Sequence, residues 1–218
     1  ICVFSIMKMI KNSLIFFVLL FSFSSFAQEN DFQLWNSVSV KKKINKKHSL
    51  DLKYGLRFRE NGSIVAKNFI DIRTRYKLHK KWSVALGYRN INEWSKYSQL
   101  DKKNRFYFDS YYSKKIKRYY FDLRSRVVFQ GKISYNEIIR QRIRLSYNLR
   151  KTKLEPSLSV ESFSSFDNFI DKLRYSLLLS YPINKKTDFN LGYKIQQELN
   201  VVDPVTLLIF EIKLIYKI

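Results

Sequence analysis

Nine arginines recur two residues apart along the chain: Arg57 and Arg59, Arg73 and Arg75, Arg124 and Arg126, and the triplet Arg140, Arg142 and Arg144. In an extended chain, residues i and i+2 project to the same side, so each set presents a row of guanidinium groups. A guanidinium is a rigid fork of donors that grips carboxylate or phosphate oxygens two at a time. Asp51, Asp71, Asp109, Asp122, Glu155 and Glu161 fall on the same parity, as do Glu198 and Glu211. Such a constellation has two readings. It is an anion-attracting surface with the nine arginines as contacts, or it is a set of arginine–carboxylate ladders holding an interior together. Bases outnumber acids on this face, so ladders alone leave positive charge over.

Covalent and metal chemistry find little to work with. A hydrolase needs a nucleophile beside a base. The two histidines, His48 and His79, sit in lysine-rich turns without a Ser–Asp neighbourhood. No catalytic residue is therefore assigned, and the protein reads as a non-enzyme. The single cysteine, Cys2, falls in the N-terminal segment, and no Cys/His cluster suggests a transition metal. Five glycines form no phosphate-cradling loop; Asn61-Gly62 reads as turn chemistry. No cofactor and no metal are expected.

Rows of this kind need strands to carry them, and the sequence supplies a period of two. Leu50, Leu52, Tyr54, Leu56 and Phe58 alternate with Asp51, Lys53, Gly55, Arg57 and Arg59. The same pattern runs through roughly 32–41, 70–78, 82–90, 104–113, 119–129, 138–147, 154–162, 172–181, 188–198 and 206–218. One apolar and one polar face per segment is the mark of half-exposed strands. The fold class is all-β.

Two kinds of connection alternate between these segments. Five are short and lysine-rich around one aliphatic residue, at Ile44, Leu78, Ile116, Leu149 and Ile183. The others, 60–68, 91–103, 131–137, 163–171 and 199–205, are longer and varied. This is the organisation of a single antiparallel transmembrane β-barrel with short periplasmic turns and longer extracellular loops. Eleven segments conflict with the usual even number, so the reading leaves ten, eleven or twelve strands open. Trp35, Trp82, Tyr88, Tyr112, Tyr119, Tyr181 and Tyr216 fall near segment ends, where aromatic girdles sit. Trp94, Tyr97, Phe163, Phe166 and Phe169 fall in connections and are expected to fold back onto the rim.

The chain has 218 residues, with 41 Lys plus Arg against 18 Asp plus Glu, a formal charge of +23. A balance so basic first suggests nucleic acid. The distribution opposes that reading: arginine concentrates on the polar face of the strands, and lysine in the short turns. Arginine tolerates a crowded lumen, whereas hydrated lysine suits turns lying against phospholipid headgroups. Lys8 and Lys11, the apolar run Leu14 to Phe23, and the small residues Ser25 and Ala27 read as a secretory signal peptide over 1–27. Met7 or Met9 reads as its start, and 28–218 as the barrel. The expected location is the bacterial outer membrane, with lipid as a contact, other envelope proteins as candidate partners, and no nucleic acid.

Several short motifs carry a resemblance. Asp31-Phe32-Gln33-Leu34-Trp35, the lysine-rich first turn running into Ser49-Leu50, Arg57-Phe58-Arg59, Lys80-Lys81-Trp82-Ser83 and Gly87-Tyr88-Arg89 resemble an uncharacterised outer-membrane β-barrel family of Bacteroidota, domain of unknown function 2490. His48 stands where that pattern has Trp. The resemblance implies the fold and the location, and brings no catalytic or binding residues with it. From the charges, the expectation is a non-enzymatic outer-membrane barrel acting as a narrow, anion-biased pore or small-solute transporter with an arginine-rich lumen. The alternative is a structural or accessory subunit of a cell-envelope complex with a plugged lumen.

Overall fold

The computed structural model describes residues 30–95, 99–130, 139–165 and 170–218. The segment read as a signal peptide, the connection 131–137, and Tyr97, Phe166 and Phe169 lie outside the described residues. Eleven strands are present: β1 (Asn30–Lys43), β2 (His48–Arg59), β3 (Ile64–Lys77), β4 (Trp82–Trp94), β5 (Leu100–Ile116), β6 (Tyr119–Gln130), β7 (Ile139–Tyr147), β8 (Glu155–Ser164), β9 (Lys172–Pro182), β10 (Thr187–Glu198) and β11 (Thr206–Lys217). Each pairs with its sequence neighbours, and β1 pairs with β11 to close a barrel.

The count is therefore eleven, with 31–41 inside the wall as β1. An up-and-down meander with an odd number of strands brings its last strand back in the direction of its first. Closure must then be parallel, and it is: Asn30 lies opposite Thr206, continuing in register to Lys41 opposite Lys217. The expectation of a wholly antiparallel barrel is corrected at this one seam.

Strands range from 9 residues in β7 to 17 in β5, and several run beyond the alternating segments of the sequence. The β4–β5 ladder continues to Trp94 opposite Leu100. There Glu93 ties the strands together by ion pairs to Lys67 at 2.5 Å and Lys103 at 2.9 Å. The connection expected over 91–103 thus shrinks to 95–99, and Trp94 belongs to a strand. Between β2 and β3 only 60–63 remain, where Glu60, Asn61 and Gly62 take φ of 53, 57 and 80°. This left-handed region suits the Asn-Gly pair. On the opposite rim, Asn45 and Asn184 each accept backbone N–H bonds from residues two and three ahead, at 2.8 to 2.9 Å. These side-chain turns explain why an Ile-Asn-Lys-Lys stretch recurs.

The outer wall is apolar and bare. Leu86, Phe106, Phe129 and Leu158 are about 60% exposed, within a belt of aliphatic and aromatic side chains that includes Leu52, Ile72 and Leu177. In water such a surface would drive association. Such a face suits hydrocarbon, and closure leaves no strand edge, as a sheet that crosses a bilayer requires. Trp82 against Tyr112 and Tyr119 against Tyr147 form ring pairs 5.0 and 4.9 Å apart at the turn end, in girdle position.

Two glycines fit the wall to the contents of the lumen. Gly55 lies opposite Phe69 and Gly87 opposite Tyr107, and both rings lie across the glycine backbone. A Cβ on Gly87 would meet Tyr107 Cζ at 2.1 Å, and one on Gly55 would meet Phe69 Cζ at 2.2 Å. The Tyr107 ring cannot withdraw freely because its hydroxyl donates to Asp71 at 2.8 Å. Gly87→Ala is accordingly expected to cost about 1–3 kcal/mol, as overpacking does. Urea titration of the folded barrel in lipid vesicles reads this directly, and an unshifted midpoint would contradict the packing argument.

Candidate functional site

The polar parity of the strands faces inward and fills the barrel with a charged network. Asp109, fully buried, accepts two bonds from the Arg126 guanidinium at 2.5 and 2.7 Å and one from the Tyr111 hydroxyl at 2.6 Å. Arg126 stacks on the Tyr107 ring at 3.7 Å. The Tyr107 hydroxyl and Arg89 both donate to Asp71, the latter at 2.6 Å. Asp122 accepts from Arg142 at 2.8 Å, Arg144 at 3.2 Å and the Ser113 hydroxyl at 3.1 Å. Glu161 gathers three arginines: Arg124, Arg140 at 3.1 Å and Arg174 at 3.3 Å. Asp51 pairs with Arg73 at 2.5 Å, and Glu211 with Lys194 at 2.9 Å.

These groups line a lumen cavity of about 210 Å³ with twelve basic side chains and four acids on its walls. Asp109 and Asp122 touch the same arginines from behind, and counting them still leaves six cations unmatched. Among the described residues, Lys41, Lys53 and Lys213 on this wall have no ion-pair partner. The Nε–H groups of Arg124, Arg142 and Arg144 are buried and donate to no acceptor among the described residues. Beside the arginines of β7 the wall carries small hydroxyls, Ser157 and Ser159 on β8 and Ser176 on β9, with Ser39 on β1. Guanidinium groups with hydroxyls beside them suit an oxyanion, which takes charge-assisted bonds from the first and neutral donors from the second.

On the loop side of the cavity, guanidinium groups lie over aromatic rings. The Arg57 guanidinium lies 3.7 Å from the Trp35 ring centre and 5.3 Å from that of Phe69. Arg174 lies 5.2 Å from Trp35 and 4.5 Å from Phe163, and Arg140 lies 4.3 Å from Phe163. All six residues occupy the loop-side half of their strands. The lumen is a basic well open toward the turns, with a cation–aromatic layer toward the loops.

The nine arginines divide accordingly. Arg73, Arg124, Arg126, Arg140, Arg142 and Arg144 line the cavity, and Arg57 belongs to the stacked layer. Arg75 stacks on Tyr111 at 3.9 Å near the turn-side mouth. Arg59 stands apart: its guanidinium donates to the carbonyls of Trp94 and Ser95 at the loop rim, at 3.0 and 2.7 Å. Among the acids, Glu155 makes no ion pair with the described residues, while Glu198 pairs with Lys172 at 3.2 Å. His48 bonds the Thr74 hydroxyl across β2 and β3, and His79 sits in an exposed turn. Among the described residues, no group of three His, Cys, Asp or Glu side chains could hold a metal.

Two aromatic expectations are corrected. Trp35 is not in the girdle but inside, because its parity is that of Gln33, Ser37 and Ser39 and Arg57 covers its face. Phe163 is not a loop residue; it continues β8 on the inward parity of Glu161 and is 1% exposed. The lysines Lys53, Lys194 and Lys213, the arginines Arg89 and Arg174, and the lumen serines were equally readable from parity.

The family model described as protein of unknown function (DUF2490) matches residues 32–203. The chain belongs to the DUF2490 family. No curated protein sequence matches it. A solved structure, the KdgM porin in complex with disordered oligogalacturonate, is similar to this DUF2490 chain in fold, at 13% identity and a TM-score of 0.50. The likeness covers 81% of this chain and 92% of that one. Outer membrane phospholipase A from Escherichia coli is similar over 73% of this chain and 67% of its own, at 14% identity and a TM-score of 0.43. The DUF2490 barrel thus has a porin-like fold.

Proposed function

We propose that this DUF2490 protein is a non-enzymatic outer-membrane barrel whose lumen takes small anionic solutes and passes them as a narrow, anion-biased pore or transporter. The observation that carries this reading is the excess of cations, twelve against four, on the wall of one lumen cavity. Buried like charges repel strongly where the dielectric is low. A carboxylate or phosphate that entered would relieve that repulsion and satisfy the open arginine N–H groups. The turn-side mouth shares Lys41, Asp51 and Arg73 with the cavity, so solute has a charged path in from that side. The KdgM porin, of similar fold, was solved in complex with oligogalacturonate, an acidic solute.

Planar-bilayer recordings under a potassium chloride gradient test the reading. The expected result is small ohmic steps with an anion-selective reversal potential. Arg142, on the cavity wall and bonded to Asp122, is the sensitive position. Arg142→Glu is expected to move the reversal potential toward cations and lower the conductance. Silence at all voltages would sink the pore reading.

A second reading, an accessory subunit of an envelope complex with a plugged lumen, is favoured by one observation, the stacked layer of Trp35, Arg57, Phe69, Arg174 and Phe163. Electrical silence together with stoichiometric co-elution of other envelope proteins in mild detergent would decide for it.

A further inference from the structure

We propose that the turn-side end of the parallel seam is a binding site for the phosphate headgroup of an anionic phospholipid. The proposal rests on the barrel spanning a membrane, as read above, and not on its lumen conducting. A cavity of about 540 Å³ lies there, flanked by the turns 44–47 and 183–186. Its walls are of two kinds. Toward the lumen stand Lys41, Lys43, Arg73 and Arg75, with Asp51 as the one acid, already held by Arg73 at 2.5 Å. Toward the bilayer stand Leu50 and Ile218, which are 38% and 64% exposed. Lys42 from β1 and Lys185 and Lys186 from the β9–β10 turn complete the basic rim.

The height of this cavity in the wall decides what can occupy it. Tyr76, Trp82, Tyr181 and Tyr216, all exposed, sit at the turn ends of β3, β4, β9 and β11. Exposed Trp and Tyr mark the headgroup level of a bilayer. At that level a phosphate meets the lysines while its acyl chain runs down the Leu50 and Leu52 side of the wall, both exposed. Basic pockets beside a spanning segment bind anionic headgroups in this way. A zwitterionic headgroup brings its own cation against the lysine rim and gains less. Free phosphate would use the same lysines but leave the apolar wall unused.

Native mass spectrometry of the full barrel in mild detergent tests this, with phosphatidylglycerol and phosphatidylcholine of matched chains as probes. Phosphatidylglycerol adducts are expected to predominate and to resist millimolar inorganic phosphate. In Lys42→Glu/Lys186→Glu they are expected to fall at least about tenfold, two lysines acting on one headgroup. Lys42→Gln/Lys186→Gln, which adds no repulsion, guards against a folding defect and is expected to weaken the adducts in the same direction. Heat-modifiable migration reports folding for both. Equal binding of the two lipids, or full binding by the folded double variants, overturns the proposal. Displacement by inorganic phosphate overturns the lipid in favour of free phosphate. None of these outcomes depends on conductance, so an electrically silent barrel leaves this test intact.

Discussion

Asp109→Ala is expected to destabilise the barrel by about 3–5 kcal/mol, the cost of removing one partner from a buried ion pair. Asp109 is completely buried, and it carries both forks of Arg126 and the hydroxyl of Tyr111. Without it, Arg126 remains inside a lumen that already holds more cations than acids. The Tyr107 ring 3.7 Å away holds it there, 5% exposed. Asp109→Asn keeps an acceptor but not the charge, and is expected to fall between wild type and the alanine variant. Urea unfolding in lipid vesicles, followed by tryptophan fluorescence, measures all three. The double replacement Asp109→Leu/Arg126→Met removes both charges at similar volume and is expected to recover most of the loss. A loss under about 1 kcal/mol for Asp109→Ala would mean that water reaches Arg126 and that the network is looser than its geometry. Failure of the double replacement to recover stability would assign the loss to packing and not to charge.

The arrangement behind this prediction was largely legible from spacing, and the parts that were not have physical causes. Alternation located every strand, because a barrel wall has a lipid face and a lumen face and leaves each residue only two options. It placed Asp109 and Arg126 on one face, and the register sets them directly opposite. Strand ends escaped because pairing continues past the apolar belt, where Glu93 with Lys67 and Lys103 holds a ladder that hydropathy does not signal. The seam escaped because an even strand number is the common solution, whereas eleven strands close in parallel with equal completeness. The aromatic layer escaped for a different reason. Aromatics near strand ends are read by habit as lipid-facing, yet Trp35, Phe69, Tyr107 and Phe163 share the parity of arginines and acids. Their partners were visible too: Gly55 and Gly87 are the inward positions small enough to lie under a ring.

Height along the strands separates what arginine does in the two halves of the lumen. Toward the turns, Arg124, Arg142 and Arg144 bond carboxylates edge-on and keep Nε donors open. Toward the loops, Arg57, Arg140 and Arg174 lie over rings, which screens part of their charge and fixes their planes. The first arrangement is suited to holding a solute and the second to stopping one. A lysine in place of Arg57 or Arg174 would keep the charge and lose the planar stack.

Trp35→Ala is therefore expected to raise the single-channel conductance several-fold while keeping the sign of the selectivity. Trp35 is the ring shared by Arg57 at 3.7 Å and Arg174 at 5.2 Å, so its removal opens the layer between β2 and β9 at one point. The cavity beneath, with its excess of cations, is unchanged and continues to set anion preference. Losing a buried tryptophan costs about 3–5 kcal/mol, so folding is checked first by heat-modifiable migration. Trp35→Leu gives a milder opening with less cavity and is expected to lie between the two. Phe69→Ala, which frees the other face of Arg57, is expected to act in the same direction, because Gly55 behind it offers nothing to fill the space. If folded Trp35→Ala and Phe69→Ala both conduct no better than wild type, the stacked layer is not the constriction. If they conduct with cation preference, the arginine wall does not govern the ions that pass. Conductance appearing only in the variants, with a silent wild type, would fit a lumen plugged by this layer.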